Sequence, residues 1–599
     1  RGDRVTLGDV SLACTWALVD ELVRGGVRHA CLSPGSRSTP LALALSRHPA
    51  IELQVHLDER SSAFVALGIA RASARPVIVA CTSGTAAAEL FPAVVEASMS
   101  RVPLVLLTAD RPPRLRGTGA NQTIDQVDLY GRYAEYVEPP VPVESSDAEA
   151  WAAAGRDVIL AMRRTWQPVQ MNCPFDEPLT PSPDAPSPPS GETGTWGPLE
   201  VAPLSPEDED RLASEVSGAR GVVVIGSTWP IDVSDVGLGV FERLGWPVLA
   251  EPISNLRRPG TLSAGQALLG AETWLAEHRP EVVLQLGATP TTRATQAFVA
   301  SAERLIVADR IHPDPDPEHR ASWRLRADLP TVVEALDGRD VAQRTADGSR
   351  GIAVTAPSGR EPAAADIGAR LASAIEPAPD GWFSSWHGAD RRARAALDEM
   401  MDAWNEPSEP RIARDVAAAV PDGATLLIGN STPIRDLDLT MAPRDGIRVI
   451  ANRGASGIDG LVSTALGAAS ASHGPTIAVL GDLTAIHDLG ALAWNASSTD
   501  LDLTIVVIDN GGGHIFSMLP QRDLPEHRRL FVTPHDVTLA ATSEALGIDS
   551  LRIDTADDLT RTLQRSRASG IKVVSARTSP RRDRDRRSTL RTELTDALG

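Results

Sequence analysis

Cysteine is scarce in this chain, and its placement excludes more than its number does. Cys14, Cys31, Cys81 and Cys173 are scattered through 599 residues, and no two form a CxxC pair. A zinc site or a disulfide framework therefore finds no support, and buried reduced thiols in a cytoplasmic protein are the expectation. No apolar run reaches the length of a membrane span, so no membrane partner is expected. The first residues, Arg1-Gly-Asp-Arg-Val, contain no apolar signal core. Excess positive charge is also missing. Against 58 Lys and Arg stand 78 Asp and Glu, a net charge of -20. That argues against a nucleic-acid surface while leaving room for local basic pockets. No G-x-G-x-x-G follows any predicted strand; after Val222-Val-Val-Ile225 comes Gly226-Ser-Thr-Trp229. That weighs against a dinucleotide oxidoreductase.

What is present is globular and large. A hydrophobic share of 42% with 23% charged residues suits several domains, each with its own core. Prolines at 181, 183, 186, 188, 189, 198, 203 and 206 prevent a regular element there and mark an extended linker. A second polar, Gly/Pro-containing region runs from about 337 to 363. The expected division is a first α/β domain over 1–180, a linker over 181–206, a central α/β domain over 207–345, a linker over 346–380 and a third α/β domain over 381–599. In each domain short apolar runs alternate with Ala-rich helical stretches, as in Val102-Pro-Leu-Val-Leu-Leu-Thr108, Val282-Val-Leu-Gln-Leu286 and Leu305-Ile-Val-Ala308. That alternation signals parallel sheets.

The first and third domains read as relatives. Adding 399 to a first-domain position lands on a matching residue of the third: Ala66-Leu67-Gly68 on Ala465-Leu466-Gly467, and Pro76, Ile78, Thr85, Ala86 and Leu90 on Pro475, Ile477, Thr484, Ala485 and Leu489. Both copies read helix, strand, polar loop, helix. In the first, a hydroxyl cap is expected to start a helix at Thr82-Ser83-Gly84-Thr85. In the second, the same loop is Gly481-Asp482-Leu483-Thr484. A duplicated domain with diverged loops suits a ligand gripped from two sides.

Two strand ends carry the chemistry. Pro475-Thr-Ile-Ala-Val-Leu480 delivers Gly481-Asp482, and Leu503-Thr-Ile-Val-Val-Ile508 delivers Asp509-Asn510-Gly511-Gly512-Gly513. Each alone is ordinary turn chemistry. Side by side they present oxygen ligands to a hard cation such as Mg²⁺ or Mn²⁺, with glycines that let backbone N–H groups approach an anion. The pair resembles the thiamine diphosphate motif, Gly-Asp-Gly followed by Asn-Asn, with Leu483 and Asp509 as departures from it.

The wider pattern is more specific. Cys31-Leu-Ser-Pro-Gly-Ser-Arg-Ser-Thr-Pro40, His56-Leu-Asp-Glu-Arg60, Thr108-Ala-Asp-Arg-Pro-Pro113, Gly119-Ala-Asn-Gln-Thr123 and Asn172-Cys-Pro-Phe175 occur in order. They are followed by Gly429-Asn-Ser-Thr-Pro-Ile-Arg435, Asn452-Arg-Gly-Ala-Ser-Gly-Ile-Asp-Gly460 and Asn510-Gly-Gly-Gly-His-Ile-Phe516. Together they resemble the 2-succinyl-5-enolpyruvyl-6-hydroxy-3-cyclohexene-1-carboxylate synthase family, thiamine diphosphate-dependent transferases of menaquinone biosynthesis. The resemblance implies pyrimidine-binding, central and diphosphate-binding domains. It also implies a homodimer or homotetramer with active sites at the subunit interface, and a carboligation in which 2-oxoglutarate is decarboxylated and its succinyl carbanion adds to isochorismate.

Roles follow residue by residue from that resemblance. Glu59 matches the carboxyl group that hydrogen-bonds the aminopyrimidine and sets its tautomer; read alone, Asp58-Glu59 is an acidic helix start. Asp482, Asn510 and the Gly512 carbonyl match the metal ligands. Ser431, Ile458, Ile515 and Phe516 match cofactor-binding positions, although Ile458 and Phe516 read equally well as core. Ser36, Arg37, Arg111, Gln122, Arg293, Arg435 and Arg453 match substrate-binding positions, with Arg435 and Arg453 also assigned to catalysis. Arginine's planar fork suits acidic substrates. Thr292 stands before Arg293 where some relatives carry Lys. The rival readings are an acetohydroxyacid synthase or simple 2-oxo acid decarboxylase, which would keep Glu59 and the metal pair, and a non-catalytic protein of the same fold, which would lose them.

Overall fold

The structure is a computed structural model. It describes residues 6–183, 185, 191, 193–197, 203–312, 314–337, 375–495, 500–565 and 570–598. Most of the expected linker 346–380 and part of the linker 181–206 lie outside the described residues.

Three parallel sheets carry the architecture. The first holds β1 (His29–Leu32), β2 (Glu52–Val55), β3 (Val77–Cys81), β4 (Leu104–Asp110), β5 (Glu135–Val137) and β6 (Val169–Pro174), in the order β2-β1-β3-β4-β6-β5. The second holds β7 (Gly221–Ile225), β8 (Val248–Ala250), β9 (Val282–Leu286), β10 (Arg304–Ala308) and β11 (Trp323–Leu325), in the order β11-β10-β9-β7-β8. The third holds β12 (Thr425–Ile428), β13 (Arg448–Ile450), β14 (Thr476–Gly481), β15 (Asp502–Asp509), β16 (Asp549–Ile553) and β17 (Gly570–Arg577). Its order, β13-β12-β14-β15-β17-β16, is that of the first sheet strand for strand. The 399-residue offset superposes β3 on β14, since Val77 falls on Thr476. The inner strands are short, apolar and buried on both faces, as helix-covered parallel sheets require, whereas the edge strands β2, β5 and β16 are partly exposed.

The described residues fold into two compact units, one holding the first and third sheets and the other the second sheet. In the first unit, helix Leu7–Arg24 starts on a capping box, with Thr6 Oγ1 accepting from Asp9 N at 3.2 Å and Asp9 Oδ2 from Thr6 N at 2.8 Å. It and helix Glu149–Thr165 bury one face of the first sheet through Ala30, Ile78, Val105, Val169 and Met171. On the other side, helix Glu59–Ser73 meets its duplicate, helix Leu461–Ala471, backbone against backbone. A Cβ on Gly68 would stand 2.1 Å from the Thr464 carbonyl oxygen, and one on Gly467 2.0 Å from that of Val65. Only glycine allows that approach.

In the second unit the sheet is buried on both sides by period-two alternation. Val223, Ile225, Leu284 and Ile306 face one core, and Val222, Val224, Val283 and Leu305 the other. Helix Trp382–Asp402 and the last helix, Pro580–Leu598, were expected in the third domain. Their apolar faces, including Trp382, Trp386, Leu590 and Leu594, instead complete this second core. The expected hydroxyl cap at 82–85 is also corrected: helix Thr85–Glu89 starts on Gly84, at φ +89°, with no side-chain cap.

Candidate active site

Parallel strand orders that reverse direction leave a crevice at the carboxyl ends of the two strands where the reversal occurs. In the third sheet those strands are β12 and β14, and β15 lies beside β14 with Gly481 opposite Ile508. That register sets Asp482 next to Asp509-Asn510. Asp482 opens helix Asp482–His487 and is 2% exposed. Its Oδ2 accepts from Gly511 N at 2.7 Å and Gly512 N at 2.9 Å, and the Gly512 amide also reaches Asn510 Oδ1 at 3.3 Å. The two side-chain oxygens therefore share one N–H. Gly511 and Gly512 have φ of +79° and +141°, and a Cβ on Gly512 would stand 2.4 Å from the Val532 carbonyl oxygen, so this turn is restricted to glycine. Burial pushes the Asp482 carboxyl up, opposed by its backbone donors and by His535. A buried carboxylate, an amide oxygen and nearby carbonyls form a donor set that suits a hard divalent cation. Asp509, the departure from the general motif, is held by Arg577 Nη1 at 3.0 Å from Oδ2. His535, which the sequence did not single out, places Nε2 3.2 Å from Asp482 Oδ2. Asp482, Asp509 and His535 have ligand atoms all within 4.8 Å of one another.

The loops after β12 and β13 form the other wall. Ser431 sits at φ +74°, a left-handed conformation uncommon for serine, and is half-buried. Asn430 is buried, and its Nδ2 donates to the carbonyls of Asn452 and Gly457, each at 2.8 Å. Arg453 Nη1 donates to Asn430 Oδ1 at 3.1 Å. Ile458 is not core: it is 37% exposed. Ile515 and Phe516 are half-buried as well, with the Phe516 ring 5.6 Å from that of Phe531. No motif marks Glu96, yet its buried carboxylate accepts from the amides of Gly454 and Ala455 at 2.8 and 2.7 Å.

The corresponding crevice of the first sheet lies between β1 and β3. Arg37, after β1, is buried and donates from Nη1 to the Phe175 carbonyl at 3.0 Å and from Nη2 to Glu177 at 3.3 Å. Arg111, after β4, donates to the Ser83 hydroxyl, which explains why that hydroxyl does not cap a helix. Burial and the neighbouring Arg37 guanidinium lower the pKa of Arg111, opposed by Asp110 and Glu177. Gln122, at φ +54°, donates to the Ser83 carbonyl at 3.0 Å. Ser36 is exposed on the same loop as Arg37, and its carbonyl accepts from Thr39 N at 3.1 Å. The loop at 83 thus gathers Arg111 and Gln122, with Arg37 close by. Glu59 is the first residue of its helix, and Asp58 supplies the cap by accepting from Ser61 N at 3.1 Å. The cap is therefore Asp58, leaving the Glu59 carboxyl for other use. Burial raises the Glu59 pKa, helped by Asp58 and Glu89.

The remaining two arginines belong to the second unit. Arg293 is exposed at the first position of helix Arg293–Ala300. Arg435 is half-buried, and its pKa is lowered by burial and by Arg293. Thr292 accepts from Thr295 N at 3.3 Å and donates to Gln266 at 3.0 Å, so it serves as a helix cap.

Comparison with known proteins agrees with this geometry. The N-terminal TPP binding domain of thiamine pyrophosphate enzymes matches residues 14–129, and the C-terminal TPP binding domain matches residues 440–576. Curated proteins named 2-succinyl-5-enolpyruvyl-6-hydroxy-3-cyclohexene-1-carboxylate synthase are similar along almost the whole length. The one from Thermobifida fusca (strain YX) is 40% identical over 98% of this chain and 99% of its own. That of Chloroflexus aurantiacus is 37% identical over 95% and 93%, and that of Listeria innocua 33% over 97% of each. With two thiamine-binding domains, duplicated sheets and carboxylate-bearing strand ends all in place, this chain belongs to the 2-succinyl-5-enolpyruvyl-6-hydroxy-3-cyclohexene-1-carboxylate synthase family.

Proposed function

We propose that this chain decarboxylates 2-oxoglutarate with thiamine diphosphate and joins the succinyl unit to isochorismate, as a transferase of menaquinone biosynthesis. The observation that carries the choice among thiamine enzymes is the Arg37, Arg111 and Gln122 group at the crevice of the first sheet. A carboxylate-bearing acceptor needs such cations, and a pyruvate decarboxylase does not.

In this reading Asp482, Asn510 and the Gly512 carbonyl would hold Mg²⁺ or Mn²⁺, and Ser431, Ile458, Ile515 and Phe516 would line the cofactor. When bound, the cofactor supplies the electron sink for loss of CO₂ and the acyl-anion equivalent for bond formation. Glu59 holds a proton between its carboxyl and the aminopyrimidine ring; its burial-raised pKa supports that role. Arg37, Arg111, Arg293, Arg435 and Arg453 pair with substrate carboxylates, with Ser36 and Gln122 as polar partners. The first sheet serves as the pyrimidine domain (1–180), the second as the central domain (207–345) and the third as the diphosphate domain (within 381–599). A homodimer or homotetramer with shared sites belongs to the same reading. It is supported by exposed apolar residues beside the site, Ile458 and, at 62% exposure, Leu57. Cytoplasmic placement is supported by four free, buried cysteines, and among the described residues no helix is long and apolar enough to cross a membrane.

Product analysis tests the proposal. With 2-oxoglutarate, isochorismate, thiamine diphosphate and Mg²⁺, one carboligated product and one equivalent of CO₂ are expected, and neither without the cofactor. Release of CO₂ from pyruvate and not from 2-oxoglutarate would overturn it in favour of the decarboxylase or acetohydroxyacid reading.

A further inference from the structure

The loop from Arg453 to Ile458 carries two of the proposed site residues but has no regular structure of its own. Two buried side chains hold it from opposite directions. Asn430 binds carbonyls on its two flanks, those of Asn452 and Gly457. From the first domain, Glu96 in helix Phe91–Met99 binds the amides between them. Its Oε1 accepts from Gly454 N at 2.8 Å, and its Oε2 from Ala455 N at 2.7 Å and Ser456 N at 3.3 Å. Glu96 is 3% exposed. A carboxylate so deeply buried needs hydrogen bonds and a cation. Here the three amides supply the first, and Arg71 Nη2, 3.7 Å from Oε1, the second. The strand leading into the loop is tied to the same place, since Arg448 donates to the Arg71 carbonyl at 2.6 Å. The loop also lies directly on the helix: a Cβ on Gly454 would stand 2.5 Å from the Glu96 carbonyl oxygen.

We infer that Glu96 is a positioning residue for the carboligation: its carboxylate holds the 454–456 amides so that Arg453 and Ile458 project from a loop fixed at both ends. The inference rests on the reading of Arg453 as substrate-facing and Ile458 as cofactor-facing. Glutamate fits where glutamine does not, because both of its oxygens accept. Glutamine would turn an NH₂ toward an amide that also donates.

Hydrogen exchange and kinetics of the thiamine diphosphate–Mg²⁺ holoenzyme test this together. In wild type, the 454–456 amides should exchange about a hundredfold more slowly than open-loop amides, because opening them breaks a buried network. Open-loop rates there would overturn the inference before any variant is made. Glu96→Gln should lose that protection while the β4 amides keep theirs, and kcat/KM for 2-oxoglutarate should fall about tenfold. Gly454→Ala, which displaces the loop from the other side, should do the same and serves if Glu96→Gln does not fold. In an Arg453→Ala background the Glu96 change should cost less than about twofold further, because two residues acting through one contact are not additive. A full additional loss there, or unchanged protection in Glu96→Gln, would assign Glu96 to general stability and overturn the inference. Normal kinetics for Arg453→Ala alone would instead refute the role given to Arg453, while the exchange data still decide whether Glu96 fixes the loop.

Discussion

Two neighbours in one short segment, His56 and Glu59, show how burial sets chemistry here. Glu59 has its helix-capping duty taken by Asp58, and burial raises the pKa of its half-buried carboxyl. Glu59→Gln should therefore preserve folding and cofactor affinity while lowering turnover by ~10²–10⁴-fold, the usual range for a positioned acid–base group. Steady-state kinetics beside calorimetric cofactor titration would show the split, and near-normal turnover would remove Glu59 from the mechanism. His56 is buried with Nε2 unpartnered, and burial alone pushes its pKa from 6.5 down to about 4. The sign is fixed by which state binds the proton. Above pH 6.5 neither state is protonated; between there and about 4 the unfolded chain is and the native one is not, so stability falls as pH falls. Replacing His56 with Leu should remove that slope. Urea unfolding should show the variant gaining about 2 kcal/mol on wild type between pH 8 and pH 5, and parallel pH profiles would contradict the assignment. Nothing local in the sequence marks His56 as buried and unpartnered; that emerges only in the fold, where its amide donates to the Leu32 carbonyl at 2.9 Å and the residue is left 3% exposed.

The duplication was legible because it is written in elements. The 399-residue offset depends on the helix–strand–loop–helix segment being the same twice, and the two six-stranded sheets share one strand order. The expected strand 475–480 is observed as Thr476–Gly481, and 503–508 as Asp502–Asp509, because continuous β-branched runs between turn residues leave little ambiguity. That Asp482 and Asn510 lie together was legible for the same reason: strand ends in a parallel sheet place consecutive loops together. Glu96, Asn430 and His535 were not, since each acts on backbone or side chains that only tertiary contact brings near. The assignment of helix Trp382–Asp402 failed similarly, because an amphipathic helix does not state which sheet it covers. Packing of the duplicated helices gives its own test. A side chain at Gly467 would meet the Val65 carbonyl and the Ile69 amide, 2.0 and 3.0 Å from the added Cβ. Neither is a flexible tip that can move aside, so Gly467→Val should destabilise the first unit by at least the ~1–3 kcal/mol typical of overpacking. Thermal unfolding would register it as a lowered midpoint, and an unchanged midpoint would mean that the helices separate more easily than this contact implies.

The molecule as a whole carries a net charge of -20, yet the reaction assigned to it joins two acidic substrates. The proposed site answers this locally, with arginine. Lys572 is the only lysine in the sequence, and it pairs with Asp549 at 3.0 Å on an edge strand. Every side-chain cation proposed to meet the substrates is thus a guanidinium, which stays charged at any working pH and can pair with a carboxylate through two N–H groups. Within the first unit these cations are divided between sheets, Arg37 and Arg111 on the first and Arg453 on the third. Such a division predicts that the two half-reactions respond separately to substitution. Arg111 and Gln122 converge on Ser83, through its hydroxyl and its carbonyl, at the first-sheet crevice to which the acceptor is assigned. Removing a charge-assisted contact to a carboxylate costs roughly 1.5–3 kcal/mol, or about ten- to a hundredfold in the affected step. Loss of CO₂ precedes attack on the acceptor, so Arg111→Ala and Gln122→Ala should spare it and depress carboligation, Arg111→Ala more because it removes a charge. Following CO₂ release and carboligated product separately within a single turnover gives both rates. If both fall in parallel in either variant, that side chain serves the cofactor or the fold and the acceptor is bound elsewhere. If CO₂ release continues while product formation falls and the KM for isochorismate rises, the first-sheet crevice is the acceptor site.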